Sequence, residues 1–565
     1  SRFTTADGLT VSGNATVSGT TALTGNATAA GNLNVTGNID VDGTTDLDGL
    51  TVAGNVSIDG GTIKLDGNYP TGSRNVALGN TALDDGSLSG NNNVAIGHEA
   101  LTANTSGAQN TAIGAFTLDA NTTASSNTAV GYQAGYTNTT GTYVTGVGAY
   151  AAYSNTTGNI AAVGYQAGYN NTTGQANTAL GRYRPLYSNT TGGYNTAIGD
   201  NALYSNTTGT NNTALGNTAG YTNTESGYNT FIGNAAGYTA NGSGATQLVY
   251  VGHNCGHQTT TATLNTGVGN QALYSNTTGS QNTAIGYNAM QANTTGGSNT
   301  ALGSQALDVN TTASDNTAIG MSALTSTSTA SYNVGVGAYA GNTNATGQNN
   351  TLVGYRAGYT LNANNNTLIG TDAGYSTTGT DNTFLGKDSG NAITSGAKNT
   401  ILGKYTGNNG GLDLRTSSNY IVLSDGDGNP RLYMNENGAL ISPYTQDNTT
   451  TAGANVFISA GQFYRSTSSL KYKNTINDAA HGLADLLKLR SVTYKGNNDG
   501  DTIVGGLIAE EVHDAGLTEF VQYDKDDKPD SLAYGNMVSL CIKAIQEQQA
   551  TITALEARIA TLEAK

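Results

Sequence analysis

The chain has 565 residues and a formal net charge of −16. Charged residues make up 11% where about 25% is usual, tryptophan is absent and glycine numbers 78, which is not the composition of a compact enzyme. The acidic balance disfavours a nucleic-acid or anionic-membrane partner, because phosphate binding calls for clustered Lys and Arg.

Residues 1–67 carry a hexad. Apolar positions fall at Val11, Val17, Leu23, Ala29, Val35, Val41 and Leu47, slip by one to Val52 and resume at Ile58, with a glycine two residues after each. A short strand and a glycine turn every six residues fits a β-helix, formed by one chain alone or by three wound together. The opening SRFTTADGLTVSGN lacks the basic flank and apolar core of a signal peptide and reads as the start of a fragment of a longer chain.

Residues 68–410 repeat more slowly. From Leu78 to Leu402 an aliphatic residue followed by glycine recurs twenty times, at intervals of sixteen to nineteen residues and most often seventeen. Such a period marks a solenoid in which each repeat buries an apolar face against the next. The common form is NTAIGYxAxYxNTTGxx, clearest at Asn282 to Tyr287. NTAI has the look of a half-buried strand, the glycine and the small residue after it permit close backbone approach, and NTTG supplies turn residues tolerant of left-handed geometry. Twenty stacked strands at about 4.8 Å predict a rod on the order of 90 Å long. Cys255 falls where other repeats carry alanine and reads as a buried alanine substitute; with Cys541 it makes no disulfide framework.

Residues 411–467 lose the period. Asn419 to Ile441 reads as a hairpin around a Gly-Asp-Gly-Asn turn, and Asp425, Asp427 and Asn429 fit a plain turn better than a calcium loop because Pro430 stands where such a loop needs glycine. From 468 to 565 Lys, Glu, Leu and Ile rise. Val538, Ile545, Ile552 and Ile559 occupy heptad position a, and Cys541, Gln548, Leu555 and Leu562 position d, predicting a coiled coil over about 536–565. Ile at a with Leu at d favours two strands, whereas a β-roll trimer needs three. No apolar run approaches the roughly 20 residues of a membrane span.

The seventeen-residue repeats resemble the β-roll heads of trimeric autotransporter adhesins, and more closely the repeats of phage tail-fibre proteins. The last hundred residues resemble the intramolecular chaperone domain first recognised on phage endosialidases. Three stretches carry that likeness: SSLKYKNTI (Ser468 to Ile476), GGLIAEEV (Gly505 to Val512) and the tail Tyr534 to Ile559. The resemblance implies a mainly β, elongated homotrimeric solenoid followed by an α+β chaperone domain. It also implies that this domain trimerises the fibre and cuts itself off between Thr467 and Ser468, with Ser468 as nucleophile and Lys473 as general base. A serine hydroxyl needs such a base, and lysine serves only when desolvation lowers its pKa. Ser469 stands where the family has Asp and Lys471 where it has Arg, which leaves the cleavage in question. The shifted pair Ser466 and Lys471 keeps the same spacing.

Tyr136, Tyr153, Tyr169, Tyr204, Tyr221, Tyr238, Tyr274, Tyr359 and Tyr375 each follow a repeat glycine by five residues. Stacked coils align them into a ladder that serves either packing or glycan contact. The NTTG turns match the N-glycosylation pattern, but a virion protein made in bacteria escapes that modification. His253 and His257 flank Cys255 without a carboxylate cluster, so no metal or other cofactor is expected. The expected function is a phage tail fibre, a trimeric receptor-binding shaft on the virion. Its expected partners are a host surface glycan or protein receptor and, through its N-terminus, other tail or baseplate proteins. Three chains are expected to wind together along both repeat zones. The alternatives are a polysaccharide-degrading tailspike and a bacterial trimeric surface adhesin; regular threonine rows also raise ice binding.

Overall fold

The structure is a computed structural model. It describes residues 73–443 apart from 242–243, the backbone of the strands at 456–459 and 462–465, and residues 475–565 apart from 497–500, 502 and 525. The hexad zone lies outside the described residues. The chain divides into two compact units, Ser1–Tyr444 and Thr445–Lys565.

The first unit is a β-solenoid built from one short strand per coil. Twenty strands, from Val76–Leu78 to Thr400–Leu402, pair parallel with the coil before and the coil after, and Ile421–Ser424 adds a further rung. Pairing is in register: Thr283 lies against Thr300, Ala284 against Ala301 and Ile285 against Leu302. The described coils pair with one another within a single chain, so winding three chains together is not needed to close them. Coil-to-coil backbone bonds such as Gly286 N–H to the Val268 carbonyl (2.8 Å) remove the strand edges that had motivated it.

The strand's faces also differ from the sequence reading. Ala284 is fully buried, and so is Asn282 two residues earlier. Thr283 and Ile285 share the outer face, because alternate strand residues point to opposite sides. The aliphatic residue before each glycine therefore forms an outer row, with Leu78, Ile113, Leu180, Leu215, Leu302, Leu385 and Leu402 all exposed. The interior is too narrow for two large rows. Where the strand centre is large, as at Phe231, Tyr250 and Phe384, the facing bend is Gly237, Gly256 and Gly390. Where it is alanine, as in Ala284 and Ala301, the bend brings in Met290 and Leu307. Where both are small, as at Ala129 with Gly135 and Ala214 with Gly220, neighbouring coils fill the space with Leu118 and with Leu203 and Phe231. Cys255 takes an alanine position, fully buried, and burial pushes its thiol up to about 12.

Asparagine, read from the sequence as a strand residue in NTAI and a turn residue in NTTG, lines the interior in two ladders. In the first, the residue before the strand uses its side chain to join coils. Asn282 Oδ1 accepts from the Asn299 backbone N–H (2.9 Å), and its Nδ2 donates to the Gly296 carbonyl (2.8 Å). In the second, the NTTG asparagines bond one another. Asn293 Nδ2 donates to Asn276 Oδ1 (2.7 Å) and to the Gly296 carbonyl (3.0 Å), and Asn310 Nδ2 donates to Asn293 Oδ1 (2.9 Å). These buried amides are out of reach of a modifying enzyme in the folded chain. Left-handed backbone occurs elsewhere: at Gln281 before the buried Asn (φ 61°), at Asn288 and Met290 in the bend, and at Gly286 (φ 143°). A Cβ on Gly286 would run into the Gly303 carbonyl of the next coil, which explains the invariant glycine of the repeat. The Asp425 carboxylate is committed to the Asn429 backbone N–H (2.9 Å) and to Arg431, as a plain hairpin turn requires.

The second unit is α+β. Helices α1 (Leu483–Leu486), α2 (Ala509–Asp514) and α3 (Tyr534–Glu563) accompany three antiparallel strand pairs, Val456–Ser459 with Gln462–Arg465, Val492–Tyr494 with Val504–Gly506 and Val521–Tyr523 with Pro529–Leu532. Its core gathers Val512, Leu517, Phe520, Met537 and Leu540.

The second asparagine ladder stops at Asn310, whose Oδ1 is buried without a partner because Thr327 occupies the next position. Thr327→Asn should continue the ladder to Asn344 and stabilise the solenoid by about 1 kcal/mol, whereas Asn293→Ala should destabilise it by about 2 kcal/mol or more by orphaning its neighbours. Chemical denaturation of the two variants checks both signs; a destabilised Thr327→Asn contradicts the ladder argument.

Candidate functional site

The tyrosines predicted as a ladder form one. Tyr136 and Tyr153 stack with ring centres 5.2 Å apart and planes 9° from parallel, and Tyr153 and Tyr169 at 4.9 Å and 5°. The row continues through Tyr187, Tyr204, Tyr221, Tyr238, His257 and Tyr274 at 5.0 to 5.2 Å. Tyr359 and Tyr375 form a separate pair at 5.1 Å. Tyr187 and His257 escaped the sequence reading for different reasons. The coil that holds Tyr187 has an extra residue between Gly181 and Leu186, which shifts the ring to six places after its glycine. His257 keeps the spacing but is not a tyrosine.

The ladder's geometry restricts its chemistry. Each ring is half-buried and lies face to face with its neighbours, so what remains for a ligand is a line of ring edges and hydroxyls. Burial raises the phenol pKa of Tyr169 and Tyr221, and the Asp119 carboxylate, followed by burial, raises that of Tyr136. These groups stay neutral donors at physiological pH. Burial, then His253, lowers the pKa of His257, whose Nδ1 is buried with no partner.

A second aromatic row joins the first. His98, Phe116, Tyr132, Tyr150 and Tyr165 meet edge to face at 5.1 to 6.1 Å. Tyr150 also leans on Tyr153 (5.9 Å) and Tyr169 (6.2 Å), and Tyr165 stacks on Tyr183 (5.7 Å). The sequence signal for this row was present, a tyrosine directly after or two after the repeat glycine, but its irregular occupancy hid it.

In the second unit, Thr467, Ser468 and Lys473, and the alternative pair Ser466 and Lys471, lie outside the described residues. The other two motif stretches meet: the Tyr534 hydroxyl accepts from the Leu507 N–H (2.7 Å) and donates to the Leu507 carbonyl (3.1 Å). Glu547 of α3 accepts from the Leu483 N–H at the start of α1 (2.8 Å), and Glu511 of α2 pairs with Arg490. On α3 the heptad residues Val538, Cys541, Ile545, Ile552, Leu555, Ile559 and Leu562 are exposed. Beside the helix's first turns lies an apolar groove of about 560 Å³ lined by Leu486, Leu489, Leu507, Met537, Ile542 and Ile545 among others. Among the described residues no cluster of His, Cys, Asp and Glu is arranged to hold a metal, and no helix is long and apolar enough to cross a membrane.

Because the folded-state pKa of His257 is lowered, the unfolded chain takes up the proton first. The stability that a neutral His257 gives is therefore present above the ordinary pKa of about 6.5 and lost as pH falls below it. His257→Tyr should complete the tyrosine row and remove this loss. Comparing melting temperatures of the two proteins at pH 7 and pH 5 checks it: the wild type should lose more on acidification than the variant.

Comparison with protein-family models, with curated proteins and with solved structures found no match to this chain.

Proposed function

We propose that the chain is the shaft of a homotrimeric phage tail fibre that attaches the virion to a host surface, with its last hundred residues acting as the trimerising chaperone. The observation that carries this reading is that each of the two units has an apolar row that stays exposed among the described residues. On the solenoid, the aliphatic residues before the repeat glycines line up from Leu78 to Leu402 along about 90 Å of stacked strands. On α3, a helix of 30 residues and roughly 45 Å, the exposed apolar residues recur every three and four places. Contiguous apolar rows of this length on a soluble surface favour association. An in-register row favours a second copy of the same chain, whose row has the same spacing. Three complete solenoids side by side satisfy both rows, with the α3 helices as a coiled coil. The domain resemblance selects three copies over the two that Ile at a and Leu at d favour alone.

The attachment role rests on the resemblance of the repeats and on the aromatic rows, where ring edges and hydroxyls suit a host surface glycan. The self-cleavage at Thr467-Ser468 rests on the resemblance alone. Adhesin and tailspike remain competing readings, separated by where the protein is found and by polysaccharide turnover.

Light scattering on the purified chain should give three copies, and Ile552→Asp with Ile559→Asp on α3 should reduce the trimer yield sharply. A stable monomer sinks the reading. Wild-type chain should release residues 468–565, a fragment of 98 residues beginning at Ser468, and Ser468→Ala or Lys473→Ala should each keep the chain whole. The effects should not add, since nucleophile and base act together. N-terminal sequencing decides between registers, a start at Ser466 pointing to Lys471 as the base.

A further inference from the structure

The densest aromatic surface of the solenoid surrounds Tyr150, at a left-handed φ of 59°. Tyr150 packs edge-on against Tyr132 (5.4 Å) and Tyr165 (6.1 Å), and Tyr165 stacks on Tyr183. Into this cluster comes a cation: the Arg184 guanidinium lies 4.7 Å from the centre of the Tyr183 ring and 5.1 Å from that of Tyr187. Its Nε donates to Gln166 Oε1 (2.6 Å), which orients the planar group and leaves the terminal nitrogens free of any ion pair among the described residues. The neighbouring carboxylate, Asp200, is taken by Arg182 (2.9 Å) and by the Tyr183 backbone N–H (3.0 Å). The patch therefore carries net positive charge on a chain whose overall charge is −16. Tyr132, Tyr165 and Tyr183 remain 44%, 40% and 38% exposed.

The same construction recurs further along, with a different charge. Tyr339 meets Tyr355 edge-on (6.2 Å) and leans on Tyr359 (6.4 Å), while Arg356 lies over Tyr355 (4.8 Å) and Tyr375 (5.1 Å). There Asp372 holds the guanidinium through two bonds, 2.7 and 2.9 Å. One copy of the motif is neutralised within the chain and the other is left open. Packing alone does not require that difference, because the rings and the cation–π contacts are alike in both.

We propose that the Tyr150 cluster is a binding subsite for an acidic sugar residue of a surface polysaccharide. Arg184 would take the sugar carboxylate in its planar fork, the exposed edges and hydroxyls of Tyr165 and Tyr183 would meet the same sugar, and Tyr132, three coils away, would meet a neighbouring sugar of the polysaccharide. A guanidinium already held by Gln166 and two rings loses little freedom on binding, and that preorganisation favours it over the exposed Arg182. The proposal rests on the attachment reading and narrows it to one ligand class and one stretch of the shaft.

The test uses full-length trimer on an array of bacterial surface oligosaccharides in matched pairs, one member carrying a uronic or nonulosonic acid and the other its neutral counterpart. The acidic members should bind better, and binding should weaken as salt is raised. Arg184→Gln and Tyr165→Ala should each reduce that binding about tenfold or more, whereas Tyr287→Ala, an exposed ring outside the cluster, should leave it unchanged. Unaltered melting temperature and trimer content certify the fold of each variant. Equal binding of the two members, acidic binding that survives Arg184→Gln, or no acidic binding at all overturns the subsite. Adsorption of wild-type trimer to host cells separates the two claims. Adsorption unaffected by Arg184→Gln removes the subsite and keeps the attachment reading, while acidic-glycan binding without adsorption keeps the subsite and removes that reading.

Discussion

The solenoid depends on satisfying the backbone that faces into a seventeen-residue coil. Only three residues of most coils are strand; the bends bond coil to coil through groups such as the Leu273 N–H and the Ala289 carbonyl, but others, the Gly296 carbonyl and the Asn299 N–H among them, need a side-chain partner. Leaving a buried amide or carbonyl without a partner costs on the order of 1–3 kcal/mol, repeated at every coil. Asparagine meets this demand because its side chain is an amide, donor and acceptor at once, short enough for a narrow interior. Asn282 bonds the backbone of the following coil at both ends of its amide, and Asn293 bonds the asparagines above and below it. The interior is a stack of side-chain amides beside a thin apolar core.

This arrangement explains why some repeat positions are strict and others free. A ladder rung works best if its neighbours carry the same group at the same height, so the inner asparagines recur in runs, broken at Val144, Ile160 and Leu248 in the first ladder and at Ala240, Thr259 and Thr327 among others in the second, while the glycine of close approach recurs in coil after coil. The breaks are informative: the unpartnered oxygens of Asn223 and Asn310 fall at ladder ends, where Ala240 and Thr327 stand in place of the next asparagine. Outer positions have no such neighbour rule. They vary between Tyr, Asn, Gln, Ser and Asp, and there the chain gathers aromatic rings over some coils and not over others. Several of these rings, Tyr150 and Tyr339 among them, sit on left-handed backbone that bulky residues avoid, held there by the same bend geometry that places Gln271 and Asn288 in other coils.

The second unit follows different rules. Its small core is closed by anchors between distant motif stretches, with the Tyr534 hydroxyl bridging the backbone at Leu507 and Glu547 receiving the N–H of Leu483. Those contacts fix the first turns of α3, where Met537, Leu540 and Ala544 are buried, and leave the later turns with exposed Ile and Leu.

How much of this was legible in the chain depends on whether the signal is periodic or spatial. Coil number and length, the buried Cys255, the hairpin at Asp425, the tyrosine row and the long final helix could all be read from spacing, because a solenoid turns sequence distance into fixed geometric offsets. The inside and the outside could not. Asn and Thr are both polar, and Ala and Ile both apolar, so composition does not say which of NTAI faces inward; the narrowness of the coil decides for Asn and Ala and turns Thr and Ile outward. An inserted residue at Gly181 to Leu186 broke the offset that would have found Tyr187, though the stacked coils restore it in space. The pairing of Arg184 with rings from neighbouring coils, and of Arg356 with Asp372, likewise depends on heights along the stack. Sequence periodicity determined the solenoid itself, while tertiary stacking decided its faces, because inward and outward are set by the available volume and by hydrogen bonds between coils rather than by any residue's own polarity.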